Sequence, residues 1–300
     1  MQLSSKKEQS IYGEVKYEEQ ITPSQRIGAW ITRVVLWIMC LIVVFPILAI
    51  ITASLSPMSS FATTILPKSV TFDNYVKIFT ETQFLLWLKN SLIVSVSAAV
   101  LQLLLTVPAA FAFSKLRFKF RSSGLVGLLI LQMFPTTMAL PAIVTICMNL
   151  EDIIGINGMD NLFMIVLLIS AGSAYNIWLM KGYMDGIPNE LTEAAYVDGA
   201  STMQVFIKII LPLMRNMLLV IFLFAFIGAY SEFIFSASLL KDKSVQTLAT
   251  GLQSFIKDQF SSNWTQYSAA AILTSVPIVA LFMGLQKYVA SGLTAGSVKG

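Results

Sequence analysis

Six stretches of this sequence carry no charged side chain: Val34–Pro67, Asn90–Ser114, Ser122–Leu150, Asn161–Met180, Asn216–Ser231 and Gln259–Gln286. They are filled with Leu, Ile, Val, Phe and Ala. A helix that spans a bilayer needs about 20 mostly apolar residues. Hydrocarbon offers the backbone no partners, so each run must satisfy its own hydrogen bonds as a helix. The runs are continuously apolar, not alternating, which argues against barrel strands. The rest of the composition agrees. Only 12% of the 300 residues are charged and 56% are hydrophobic, whereas a soluble domain carries roughly 25% charge. The sequence therefore predicts an all-α integral membrane protein with six transmembrane helices, at about 30–53, 88–114, 122–148, 159–180, 213–240 and 267–287. The fifth run is short only because Glu232 interrupts an apolar stretch that continues to Leu240. Pro46, Pro108, Pro135, Pro141 and Pro277 fall in spans. Each removes a backbone donor and tends to kink its helix. Ordinary tolerance of proline in membrane helices and bending around a moving pathway are both open readings.

Basic residues set the orientation. Segments that alternate across the membrane hold 14 Lys and Arg on one side and 6 on the other. Positive charge stays inside, which places both termini in the cytoplasm. The loop after the second span holds Lys115, Arg117, Lys119 and Arg121 with no acid among them. It reads as a topology signal, with a lipid-headgroup site as the alternative. Residues 1–29 are polar and mixed in charge, without the basic stretch and apolar core of a cleaved signal peptide. They are expected to form a cytoplasmic tail, disordered until about Thr22.

Several chemistries are excluded by residue type. The chain has no histidine, which removes Ser–His catalysis, histidine metal sites and histidine-ligated haem. Cys40 and Cys147 are isolated thiols in apolar runs and make neither a metal cluster nor a disulfide framework. No Gly-Lys dipeptide occurs, so a phosphate-binding loop of the Gly-Lys type is missing. The chain is not read as an enzyme, and no metal or catalytic site is expected in it.

The patterned segment is 181–212, between the fourth and fifth spans and cytoplasmic by the charge rule. Pro188 suits a first helical turn. Glu190 and Glu193 follow where negative charge is favoured, and Ile187, Leu191, Ala194 and Ala195 share a face. Gly199 ends this helix in the left-handed conformation. Ser201 with Gln204 forms a capping box that starts a second helix, given an apolar face by Val205, Phe206 and Ile209. Pro212 bends the chain as the fifth span begins. Tethered between two spans and almost without base-reading residues, the pair is no reader of nucleic acid. An interfacial re-entrant loop and a docking element for a soluble partner remain alternatives on mechanics alone.

Glu193-Ala194-Ala195, three residues, Gly199, nine residues and Ile209-Ile210-Leu211-Pro212 resemble the EAA loop of ABC importer permeases. Thr71-Phe-Asp-Asn-Tyr75, Asn90-Ser91, Ala112-Phe-Ser-Lys-Leu-Arg-Phe118, Ile187-Pro188, Ala195-Tyr-Val-Asp198-Gly199-Ala-Ser201 and the ending Ser291–Gly300 are similar to the carbohydrate-importing branch, in particular the maltose/maltodextrin (MalG) family of permeases. Many relatives carry Trp-Asn before the acid of the fifth span. Here Tyr230-Ser231 stand there, and the maltose type also lacks the Trp-Asn. The resemblance covers roughly residues 30–300. It implies a type I ABC importer permease fold in the bacterial inner membrane, with cytoplasmic coupling helices. It further implies a homologous MalF-like permease subunit, a MalK-like ATPase homodimer that holds the Mg-ATP, and an extracytoplasmic sugar-binding protein. By the same resemblance Glu193, Ala194, Ala195, Asp198, Gly199, Ile209, Leu211 and Pro212 contact or serve the ATPase, as does the tail with Gly296, Lys299 and Gly300.

Glu232 is the one acid placed inside a span. Such a charge costs about 2.5–3.5 kcal/mol on insertion scales, so it faces a cavity or a partner. Contact with substrate hydroxyls or water along the pathway is one reading; pairing with a neighbouring span, or snorkelling toward Lys241 or Lys243, is the other. Tyr230, Ser231, Tyr175 and Asn176, with Trp178, are further pathway candidates, and packing or interface anchoring is the competing role. An ion- or proton-coupled secondary transporter is the alternative class. It would favour paired intramembrane carboxylates and internal repeats; the sequence offers only Glu232 and no repeat.

Overall fold

The computed structural model describes residues 22–57, 69–256 and 263–294. The chain divides into two units, residues 1–50 and 51–300. In the first, α1 (Pro23–Ser54) is one continuous helix whose last turn belongs to the second unit. At 1.5 Å per residue, its 32 residues reach about 48 Å, well beyond the 30 Å of hydrocarbon. Pro46 lies within it without breaking it. Of the tail expected over residues 1–29, residues 1–21 lie outside the described residues and 23–29 form the start of α1.

The second unit is built around α3 (Phe84–Lys115), which is 32 residues long and unbroken at Pro108. Ser91, Ser95, Ala98, Ala99 and Ala110 are buried along it, and these small side chains let neighbouring backbones approach closely. Packed on α3 are α6 (Leu162–Ala171), α7 (Ala174–Asp185), α11 (Arg215–Tyr230) and α13 (Leu248–Gln253). α14 (Trp264–Thr294) packs on α11 and on α2 (Asp73–Glu81). α4 (Arg121–Gln132) packs on α7, and α5 (Leu140–Ile154) on α12 (Ile234–Leu239). The described residues contain no strand.

Among the described residues four helices are long and apolar enough to cross a membrane: α1, α3, α11 with α12 taken as Arg215–Leu239, and Trp264–Val289 within α14. A fifth appears if α6 and α7, bent by 52°, count as one span. The expected number of six is not confirmed by these lengths. The stretch at 122–148 is two helices, of 12 and 15 residues, separated by Met133–Ala139. Pro135 denies the break a donor, and Pro141 occupies the first turn of α5, where a proline costs nothing. Neither half reaches the length of a span alone. α7 also runs on to Asp185, so the first residues of the expected 181–212 loop are helical.

Candidate functional site

The segment after α7 contains α8 (Asn189–Val197) and α9 (Thr202–Val205). Pro188 precedes the first helical residue with φ −53° and ψ 133°, one position before the place expected for it. Gly199 has φ +83°. Its N–H donates to Tyr196 O at 3.0 Å, and the Ala200 N–H reaches back to Ala195 O at 2.9 Å. This pair of bonds is the Schellman ending, which satisfies the last carbonyls of a helix by turning the chain left-handed for one residue. Two residues on, the Gln204 N–H donates to Ser201 Oγ at 3.3 Å and the Ser201 N–H to Gln204 Oε1 at 2.8 Å. Stop and start signals therefore occupy six residues and fix the angle between α8 and α9.

Which face is buried differs from the sequence reading. Ile187, Thr192 and Val205 are buried and Ala195 is half-buried, while Leu191 and Ala194 are exposed. Thr192 closes its hydroxyl on Asn189 O at 2.8 Å, which suits it to the inner side. After α9 the chain makes a π turn over Phe206–Ile210, with the Leu211 N–H donating to Phe206 O. It then continues through α10 (Leu211–Leu213). Pro212 lacks the N–H that an α-helix would direct to Lys208 O. A π turn is wider by one residue, so Ile210 is buried in place of the expected Ile209, which is half-buried. The outer side presents Glu190, Leu191, Glu193, Tyr196, Val197, Asp198, Met203 and Ile207 to solvent. Val197 is 88% exposed, an unusual position for an apolar side chain with no partner to cover it.

The pathway candidates separate in the structure. Glu232 lies in the break between α11 and α12. Its Oε1 accepts the Phe235 N–H at 2.6 Å, and its Oε2 accepts the Ser236 N–H at 3.0 Å and the Ser236 hydroxyl at 2.8 Å. It caps the start of α12, and no bond joins it to Lys241, whose Nζ donates to Ala237 O at 2.7 Å. Tyr230 is buried, stacks on Phe226 and donates to Thr274 O at 3.0 Å. The Asn176 amide donates to Gln102 Oε1 at 3.1 Å. Ser231 is exposed and bonds back to Ile227 O at 2.9 Å. Tyr175 is exposed beside Trp178, ring centroids 6.1 Å apart. A recess of about 390 Å³ joins Ser231, Glu232 and Phe233 to Thr136 and Thr137, so the breaks of the third and fifth expected spans face one another.

Two glutamines that the sequence reading did not single out hold a bend. Gln102 and Gln132 brace the bend between α6 and α7, where helical bonding lapses. Gln102 Nε2 donates to Ile169 O at 3.3 Å and Gln132 Nε2 to Gly172 O at 3.1 Å, and Gln132 Oε1 accepts the Tyr175 N–H at 2.6 Å. A glutamine in an apolar run was the available signal. The motif asparagines fasten loops. The buried Asn74 amide donates to Ser54 O at 2.9 Å and Ser56 O at 2.8 Å. The Asn90 amide spans Ser244 O and Gln246 O, both at 2.9 Å. Two cations of the basic 115–121 loop are turned inward, Lys115 and Arg121, each bonded to backbone carbonyls.

With this geometry in hand, residues 102–295 match the family described as "Binding-protein-dependent transport system inner membrane component". The chain belongs to that family. It is 36% identical over 271 residues to the maltodextrin transport system permease protein MdxG of Bacillus subtilis (strain 168), covering 90% of this chain and 95% of that protein. To the galactooligosaccharides transport system permease protein GanQ of the same organism it is 38% identical over 268 residues, covering 87% and 92%. The MalG maltose/maltodextrin permease protein of Photorhabdus laumondii is 33% identical over 291 residues, covering 92% and 98%. A solved bacterial ABC transporter involved in import of the acidic polysaccharide alginate superposes with TM-score 0.73 at 26% identity, covering 89% of this chain and 98% of that one. As a member of this family the chain is a multi-pass membrane permease subunit of an ABC importer, not an enzyme. Such a permease works with a separate ATPase subunit and a substrate-binding protein. Membership replaces the ion- or proton-coupled transporter as a reading. The family match includes the whole of 181–212. The tail residues Gly296, Lys299 and Gly300 lie beyond it and outside the described residues.

Proposed function

We propose that this permease imports a sugar, an oligosaccharide in the first instance, and that residues 181–212 couple it to ATP hydrolysis in another subunit. The observation that carries the coupling role is the outer side of α8 and α9. Glu190, Glu193 and Asp198 alternate there with exposed Leu191, Val197, Met203 and Ile207. The Schellman ending and the capping box hold these side chains at a set angle. Acids ringed by uncovered apolar groups suit a basic, apolar-lined cleft on a soluble partner. The inner side, Ile187, Val205 and Ile210, is fused into the same apolar cluster as α3, α7 and α11. A push on the outer face therefore reaches the spans.

In this reading a homologous permease subunit completes the pathway, and two ATPase subunits hold the Mg-ATP. The binding protein delivers sugar from outside, and both termini of this chain are cytoplasmic. ATP binding favours the outward-facing state, and coupling amounts to that difference in affinity between states. The names of the maltodextrin, galactooligosaccharide and alginate relatives support a carbohydrate substrate. The test is reconstitution of the complete complex in vesicles with a panel of maltodextrins, galactooligosaccharides and uronic acid oligomers. Sugar-dependent ATP hydrolysis and uptake are expected with one class. Uptake that persists without the ATPase, or hydrolysis that responds to no sugar in the panel, refutes the proposal.

A further inference from the structure

The end of α3 touches the 181–212 segment at three places although 70 residues or more of chain separate them. Lys115 Nζ donates to Ile187 O at 2.7 Å and to Asn189 Oδ1 at 2.9 Å. These two acceptors flank Pro188, where the chain enters α8. Ser114 Oγ donates to Asp185 Oδ1 at 2.7 Å, and the other oxygen of Asp185 pairs with Lys181 on α7. Phe111 packs on Phe206 with ring centroids 4.9 Å apart, at the start of the π turn. Arg121 folds back and donates to Phe113 O at 2.6 Å and Ser114 O at 2.7 Å, which occupies carbonyls that the end of a helix leaves unpaired. Entry to α8 and exit from α9 are thus both fastened to one turn of α3. That helix is the one against which α6, α7, α11 and α13 all pack.

From this we infer that the last turn of α3 is the point where movement of α8 and α9 passes into the bundle, with Lys115 as the positioning residue that holds it. The inference rests on the reading of 181–212 as the coupling segment. α8 is joined through the chain only to α7 and, through α9, to α11. The apolar packing beneath it is not directional, so covalent joints and packing together leave a small helix room to slide and turn at Pro188. The ammonium bond to Ile187 O removes that freedom at Pro188, a residue that has no N–H with which to anchor itself. A donor with three protons satisfies a carbonyl and an amide oxygen at once, and bonds from a charged donor are about twice as strong as neutral ones.

The experiment uses the whole complex in vesicles, with Lys115→Met and Lys115→Arg beside the unaltered chain. Methionine keeps the length and apolar stem, and arginine keeps the charge and several donors. Three quantities are read: ATPase recovered with the permease, hydrolysis stimulated by loaded binding protein, and uptake. For Lys115→Met the ATPase is expected to co-purify in normal amount while stimulated hydrolysis and uptake both fall about tenfold, within the usual range of coupling free energies. Lys115→Arg is expected to recover at least a third of both. Stimulation and uptake within twofold of normal in Lys115→Met overturn the inference, and so does loss of the ATPase together with a lowered melting temperature, which makes Lys115 a folding residue only. Glu193→Lys distinguishes failure of the underlying reading: if it leaves ATPase recovery and stimulation normal, 181–212 is not the coupling segment at all.

Discussion

Gly199 separates backbone strain from packing unusually cleanly. Its φ of +83° lies where L side chains are strained, and a Cβ built on it meets nothing within 4 Å. A substitution there therefore costs only backbone energy. Alanine is expected to lose about 1–2 kcal/mol, the penalty of the left-handed region for an L residue. Asparagine, which tolerates that region, is expected to lose less. Valine, stiff and β-branched, is expected to lose most. At about 1.4 kcal/mol per factor of ten, alanine lowers the fraction of properly angled α8–α9 pairs by roughly five- to thirtyfold relative to competing arrangements. What is lost is the bond pair from Gly199 N–H to Tyr196 O and from Ala200 N–H to Ala195 O. Because the turn is exposed, the melting temperature of the detergent-solubilised chain should barely change. ATPase stimulation in the reconstituted complex should fall in the order Gly, Asn, Ala, Val. Equal impairment of Asn and Ala, or a Val variant as active as the native chain, refutes the assignment of this glycine to its dihedral angle.

At Gly251 the opposite holds, since an added Cβ would come within 2.2 Å of the Trp87 ring; Gly251→Ala should lower the melting temperature in detergent, in line with an overpacking cost of about 1–3 kcal/mol. Gly158→Ala should behave likewise, because its Cβ would meet the Cys147 carbonyl at 2.4 Å and that backbone cannot swing aside. Glu232→Gln keeps one acceptor oxygen for the start of α12 and should retain most uptake, whereas Glu232→Ala removes the cap, worth about 1 kcal/mol, and should reduce it several-fold; equal loss in both variants in an uptake assay would mean that the charge itself is required. A single cysteine in place of Val197, in a chain with Cys40 and Cys147 replaced, should react with an impermeant maleimide only from the cytoplasmic side, and labelling from outside would reverse the assigned orientation.

What the sequence made legible was governed by local rules. The left-handed glycine and the capping box at 199–204 depend on residues no more than five apart, and both stand as expected. The buried side of α8 and α9 does not follow from local spacing. The π turn at 206–210 displaces the inward register by one residue, and its cause, a proline two residues later, acts through hydrogen bonds that periodicity does not record. The break at 133–139 was hidden for a related reason. Charge-free composition reads the same whether a run is one helix or two, and Pro46, Pro108 and Pro277 sit inside unbroken helices while Pro135 sits in a gap and Pro141 in the first turn after it. Across the gap the backbone closes three successive tight turns instead, with the Met138, Ala139 and Leu140 N–H groups donating to Pro135 O, Thr136 O and Thr137 O.

Glu232 shows why residue type alone overstates a role. A carboxylate in an apolar run demands compensation, and the sequence offers two obvious forms, a ligand or a lysine. The structure supplies a third, the unpaired N–H groups of a helix that begins in mid-run. That solution exists only because the span is broken, and the break was not legible. The same logic governs the glutamines at 102 and 132, whose amides complete the backbone where α6 gives way to α7. In each case the polar side chain in the membrane answers a defect in helical hydrogen bonding a few ångströms away. Polar residues of this kind mark where the bundle is jointed, and a joint with its own fixed partners bends as a unit. The recess between Thr136 and Glu232 lies where the break at 133–139 meets the break between α11 and α12, so its walls come from chain outside regular helix on both sides.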